Sequence, residues 1–245
     1  MTKEFEISKE VELQATPEQV WEAIATGPGL ASWLFPHSVD PGVGGKLRLE
    51  VAGYTEESTI TGWDPPRRLT VESPPGEDGT LMAFEYLIEG RDGGSTVLKF
   101  VHSGHLGEGW GDEYIIMTGH GWDQYLHSLS EYLTHFLGRH AVYVLAEGPK
   151  EQTEVWPAFA AALGLTQMPS PGDTVRLPHG AQGVVDYTVE PAFYGFFLGV
   201  RTDDGLYRFQ GKPDSVDIAH HLFGADVDQK ESERYWREWI AGVYA

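Results

Sequence analysis

Thr16-Pro17-Glu18-Gln19-Val20-Trp21-Glu22-Ala23-Ile24-Ala25 is the stretch on which the reading of this chain turns. A hydroxyl at Thr16, proline one residue later and Gln19 three residues after the hydroxyl make a helix start. The side chain of Thr16 can cap the backbone while Gln19 reaches back to it. The spacing predicts a helix through Val20, Trp21, Ala23, Ile24 and Ala25 that Gly27-Pro28-Gly29 ends, then a second short helix carrying Leu30, Trp33 and Leu34. Before it, apolar residues at the odd positions Phe5, Ile7, Val11 and Leu13 have the period of a strand with one buried face.

After the short helices the pattern becomes strand-like. Leu47, Leu49 and Val51 alternate with Lys46, Arg48 and Glu50. A stretch from Glu57 to Trp63 follows, Asp64-Pro65-Pro66 turns the chain, and Leu69 and Val71 begin the next strand. Phe84, Tyr86 and Ile88 alternate up to Gly90-Arg91-Asp92-Gly93-Gly94, whose glycines suit a hairpin, and the chain returns through Thr96 to His102. Trp122, Tyr125, Leu126, Leu129, Leu133, Phe136 and Leu137 then recur at helical spacing. Extended back to Glu113, that helix is about 37 Å long, enough to cross a sheet. The expected domain is α+β, a curved antiparallel sheet wrapped around a long C-terminal helix.

In this order the motifs resemble the START-like helix-grip superfamily, also called SRPBCC. Within it they are most similar to the branch named after the activator of the heat-shock-protein-90 ATPase. The resemblance rests on Thr16-Pro17-Glu18-Gln19-Val20-Trp21, Trp33-Leu34, Gly44-Gly45-Lys46-Leu47 and Gly121-Trp122-Asp123-Gln124-Tyr125-Leu126, and it covers about residues 5 to 138. These are signatures of a fold, and they name no reaction.

The remainder reads as a shortened second copy. Val155-Trp156, Ala158, Ala160 and Gly164-Leu165 repeat Val20-Trp21, Ala23, Ala25 and Gly29-Leu30 at an offset of 135. Gly172 to Leu177 parallels Gly44 to Leu49, and Trp236, Trp239, Ile240 and Val243 repeat the spacing of Trp122, Tyr125, Leu126 and Leu129. The same periodicities arise in any amphipathic helix that flanks strands. The copy is expected to lack a first strand and to hold strands at Thr174 to Leu177, Gly183 to Val189, Phe193 to Val200 and Gly205 to Gln210. The division proposed is a helix-grip domain over residues 1–146 and a degenerate helix-grip-like lobe over 150–245, joined at Glu147 to Glu151.

Composition narrows the function classes. Of the 245 residues, 17 are Lys or Arg and 37 are Asp or Glu, a formal charge of −20. Such a chain is repelled by phosphate backbones and anionic bilayers, so neither nucleic acid nor a membrane is an expected partner. Cysteine is absent, which excludes disulfides, thiolate nucleophiles and Cys-ligated metals. The N-terminal residues alternate charge with apolar character, unlike a secretory signal, and a cytoplasmic location is expected.

Chemistry-bearing motifs are scarce. No P-loop, nucleophile elbow, dinucleotide fingerprint or zinc-protease helix is present. His102 and His105 with His120, Asp112 or Glu113, and the adjacent His220-His221, are the histidine groupings, but their spacing sets no ligand shell and no metal or cofactor is expected. Glu56-Glu57, Asp203-Asp204 and Glu231 to Glu233 read as solvated charge.

What remains is the interior of the grip. By parity Leu49, Val51, Phe84, Tyr86, Phe100 and His102 face the side of the long helix that carries Trp122, Tyr125, Leu126 and Leu129. Trp33, Phe35 and His37 lie on the connection that roofs the interior. These side chains either fill a core or enclose a cavity for a small hydrophobic or aromatic ligand. The leading expectation is non-enzymatic binding of such a ligand, as the resemblance implies for many members. The resemblance also leaves open a chaperone-associated regulator of a heat-shock-protein-90 type ATPase, and a polyketide-cyclase-like or hydrolase-like enzyme using Tyr86, His102 or Tyr125. No catalytic residue is assigned.

Overall fold

In a computed structural model that describes residues 2–107, 110–192 and 195–245, the first strand, β1 (Lys3–Leu13), buries Phe5, Ile7 and Leu13 and exposes the charged residues between them. Helices α1 (Pro17–Ala25) and α2 (Gly27–Ala31) follow. The capping box forms as the sequence predicts: Gln19 N–H donates to Thr16 Oγ1, and Thr16 N–H donates to Gln19 Oε1 at 2.8 Å. Gly27-Pro28-Gly29 does more than end α1. Thr26 caps α2 by accepting from Gly29 N–H at 3.1 Å, so these residues are the first turn of α2, and Trp33 and Leu34 lie beyond its end. A Cβ at position 29 would collide with the Glu22 carbonyl, so α2 approaches α1 as closely as only glycine allows. Trp33 is fully buried, and its Nε1–H donates to the Ala23 carbonyl at 2.9 Å, which pins the chain after α2 onto α1.

Six more strands complete the first sheet: β2 (His37–Val39), β3 (Lys46–Val51), β4 (Tyr54–Asp64), β5 (Arg68–Glu72), β6 (Leu81–Gly90) and β7 (Thr96–Leu106), in the order β1-β7-β6-β5-β4-β3-β2. β1 pairs antiparallel with β7 along its whole length, from Lys3 opposite Leu106 to Leu13 opposite Thr96. The register lines up rows of side chains across the sheet. One runs Ile60, Val71, Phe84, His102, Ile7; its neighbour includes Leu69, Tyr86 and Phe100. Helix α3 (Asp112–His135) has 24 residues, about 36 Å. It buries Trp122, Leu126, Leu129 and Leu133, and Asp123 forms an ion pair with Lys9 of β1 at 2.6 Å.

The chain divides into two units, Met1–His140 and Ala141–Ala245. The second contains β8 (Val142–Glu147), α4 (Val155–Ala162), β9 (Thr174–Arg176), β10 (Gln182–Ala192), β11 (Gly195–Arg201), β12 (Gly205–Gly211), β13 (Val216–Leu222) and α5 (Gln229–Val243), with sheet order β8-β13-β12-β11-β10-β9. Two expectations are corrected. The second unit does have a first strand, because Val142–Glu147 hydrogen-bonds along β13 from Val142 opposite Leu222 to Glu147 opposite Asp217. The division accordingly falls before that strand, at 140/141, rather than at 146–150. Strand β13, on which His220 and His221 lie, was not among the expected strands. Phe193 and Tyr194, at the start of one expected strand, lie outside the described residues. Both units run strand, helix, antiparallel strands, long helix, and in both the first strand pairs with the last.

Replacing Thr16 with Ala removes the α1 cap at a cost of ~1 kcal/mol. Amide hydrogen exchange over Val20–Ala25 should accelerate about fivefold, the factor this energy represents, with exchange in α5 unchanged. Equal acceleration in both units would show that the cap does not act locally.

Candidate functional site

Between α1–α2, the first sheet and α3 lies a cavity of about 170 Å³. Ile24 comes from α1, Leu30 from α2, and Leu34 and Phe35 from the segment after it. The sheet contributes Leu47, Leu49, Val71, Phe84 and Tyr86, and α3 contributes Trp122 and Tyr125. Most of this wall is carbon. Its ring contacts are close: Phe35 and Tyr125 meet edge to face at 5.4 Å, Trp122 and Tyr125 at 5.8 Å, Phe84 and Trp122 at 6.1 Å.

Of the thirteen residues that the sequence placed in the interior, Phe35, His37, Leu49, Phe84, Tyr86, Trp122 and Tyr125 are on the wall. Trp33 is held behind α1 by its bond to Ala23. Val51 is at the hairpin end of β3, opposite Tyr54. Leu126 and Leu129 are buried further along α3. Phe100 and His102 form a layer behind the wall. Phe100 lies 4.1 Å from Trp122, and His102 Nδ1 accepts a hydrogen bond from Trp122 Nε1–H at 3.1 Å, so the indole's one polar group is satisfied away from the cavity.

That bond also decides the state of His102. Nδ1 accepts, so the neutral ring carries its proton on Nε2. Burial under Phe84, stacked at 4.4 Å, and Phe5, edge-on at 5.1 Å, lowers its pKa to about 4. His102 is therefore neutral at pH 7 and holds Trp122 in place; the tyrosine–histidine trio considered from the sequence does not meet in one space.

The polar part of the wall is small. His37, Leu49 and Glu56 form one row across β2, β3 and β4, and Ser58 stands opposite Leu47 in the next. His37 Nδ1 is 2.7 Å from the Phe35 carbonyl, which can only accept, so Nδ1 is the protonated nitrogen and Nε2 keeps its lone pair. Burial lowers the His37 pKa, against the opposing pull of the Phe35 carbonyl and the Glu56 charge. Tyr54 donates to Glu56 Oε2 at 2.9 Å. Burial pushes the Tyr125 hydroxyl up to about 12 and Tyr86 higher still, so both stay protonated. Neither hydroxyl, nor that of Ser58, has a hydrogen-bond partner among the described residues.

Glu56 corrects the reading of Glu56-Glu57 as a solvated pair. Glu57 is the solvated member, bound to Lys46 and Arg48 on the outer face, while Glu56 lies on the cavity wall. Consecutive strand residues point to opposite faces, and only the pairing of β3 with β4 tells which of the two is inside. Leu47 shares the parity of Leu49 and was accessible to sequence reasoning. Ile24, Leu30, Leu34, Ser58 and Val71 needed the tertiary arrangement.

Residues 14–134 match the family model described as activator of Hsp90 ATPase homolog 1-like protein. The match to this family lies within the first unit. No curated protein matches the sequence. Among solved structures, protein MLL2253 from Mesorhizobium loti is 17% identical over 53% of this chain and 97% of that one, with a TM-score of 0.47. The Aha1 dimer from Colwellia psychrerythraea is 20% identical over 53% of this chain and 96% of that one, with a TM-score of 0.43. DynU16, from the dynemicin biosynthetic locus, is 14% identical over 98% of this chain and 95% of that one, with a TM-score of 0.47. The matched residues of the family model run from the end of β1 to the last turn of α3, and so include the whole cavity wall.

Because the folded state holds His102 near 4 while an unfolded histidine titrates near 6.5, the unfolded chain takes up a proton that the folded one refuses. The stability contribution is full above pH 6.5 and declines as pH falls towards 4. Replacing His102 with Gln, which retains an acceptor for Trp122, should remove roughly 2–3 kcal/mol of the loss between pH 7 and pH 4. Chemical denaturation at a series of pH values checks this, and parallel pH curves for the two proteins would refute it.

Proposed function

We propose that the first unit binds a small, largely apolar ring compound in the cavity between α1–α2, the sheet and α3, and does so without catalysing a reaction. The observation that carries this reading is the cavity itself: about 170 Å³ lined mainly by Leu, Ile, Val and aromatic side chains. An engineered apolar cavity of about 150 Å³ stays dry and takes up benzene, so the space suits a ligand of one or two rings. The Tyr86 and Tyr125 hydroxyls retain their protons and serve better as hydrogen-bond donors than as bases.

The second unit is, on this reading, a shortened relative of the first in which the space beside the short helix is filled. At the offset of 135 that aligns the two helix starts, Phe159 stands where Ile24 lines the cavity. Phe159 is fully buried, 5.1 Å from the ring of Phe196 and 5.2 Å from that of Phe209. One larger side chain on the short helix is enough to close such a space.

Naphthalene serves as the probe. Bound at one hundred times its Kd it stabilises the protein by about 2.7 kcal/mol, visible as a rise in Tm. Ile24→Phe should fold, with far-UV circular dichroism unchanged, and bind naphthalene at least tenfold more weakly. Undiminished binding to this variant would place the ligand elsewhere and overturn the proposal.

A further inference from the structure

The cavity is not evenly apolar, and its polar groups are sorted. At the end formed by β2, β3 and β4 two groups with free capacity are acceptors only. The Phe35 carbonyl takes the one proton of His37, leaving Nε2 as a bare lone pair, and Glu56 is a carboxylate whose Oε2 is engaged by Tyr54 while Oε1 is not. The two belong to one cross-strand row, separated by Leu49, and both line the cavity. Both residues are half-buried, and two acceptors facing one space cannot satisfy each other. The Ser58 hydroxyl on β4, and the Tyr86 and Tyr125 hydroxyls elsewhere on the wall, can donate.

Resting on the reading of this cavity as a ligand site, we infer that its ligand is a neutral hydroxylated ring compound of the phenol class, with its hydroxyl donating to His37 Nε2 or Glu56 Oε1. Glu56 is the one carboxylate on the wall and no Lys or Arg accompanies it, so a ligand carboxylate would meet repulsion with no countercharge. An ammonium group would be attracted to Glu56, but it would lose far more hydration in a wall of rings than a hydroxyl does. A hydroxyl donor matches both acceptors at the smallest desolvation cost. Leu49 between them, with Leu47 and Val71 beyond, leaves a flat apolar bed for the ring.

Four naphthalene compounds of matched size test this by calorimetric titration of the full chain: naphthalene, 2-naphthol, 2-naphthoate and 2-naphthylmethylammonium. The expected result is that 2-naphthol binds at least tenfold more tightly than naphthalene, with the two ions weaker than 2-naphthol. His37→Phe and Glu56→Leu should each reduce the naphthol-to-naphthalene ratio towards one. Far-UV circular dichroism and thermal unfolding unchanged in both variants show that the fold is intact. Equal binding of naphthol and naphthalene to the unaltered protein, a preference that survives both substitutions, or tighter binding of either ion would overturn the inference while leaving the cavity a ligand site. Failure of all four compounds to bind would overturn both.

Discussion

The first unit depends on the antiparallel pairing of β1 with β7, which joins residues 3–13 to residues 96–106. A slip of one residue would turn Phe5, Ile7 and Leu13 outward and expose the apolar face of an entire strand. With the register held, Ile7 lies beside His102, and His102 lies beneath α3 where it accepts the indole proton of Trp122. Trp122 then rests on Phe100 with Tyr125 at its edge, and the cavity has its helical wall. The ion pair of Lys9 with Asp123 ties the same strand to the same helix from its flank. Site and strand pairing are thus parts of one packing arrangement.

Native interiors are packed as densely as organic crystals, so an open space needs a reason. The space of about 170 Å³ opens to solvent on one side and leaves the apolar side chains around it without packing partners there. In the second unit the side of α4 that carries Phe159 is packed with rings. Phe159, Phe209 and Trp236 meet there, with ring centroids 5.2 Å and 5.8 Å apart. It also has one short helix, α4, where the first unit has α1 and α2.

The polar features of the cavity follow from strand geometry and local hydrogen bonding. Alternation along β4 separates Glu57, in its outer cluster with Lys46 and Arg48, from Glu56 on the wall. A single carbonyl, that of Phe35, fixes the tautomer of His37 and so its role as an acceptor. The donor-bearing tyrosines come from β6 and α3. Strands β2, β4 and β6 and helix α3 thus each supply part of the hydrogen-bonding pattern, and the pattern exists only where they converge.

Local chemistry determined the elements. The Thr16-Gln19 box, the odd-numbered apolar residues of β1, the glycine-rich turn at residues 90–94 and the helical spacing after Trp122 each depend on neighbours a few residues away, and each is legible in the chain. The resemblance to the family and the α+β helix-grip architecture followed from their order. Strand pairing and burial were decided by tertiary structure alone. Val142–Glu147 becomes a strand of the second unit because β13 pairs with it, and a short run following a long helix carries no mark of a distant partner. Phe100 and His102 share a face with Phe84 and Tyr86, yet Trp122 covers the first two and leaves the others on the wall. Parity says which face of a sheet a residue occupies; only the third dimension says whether that face meets a side chain or a space.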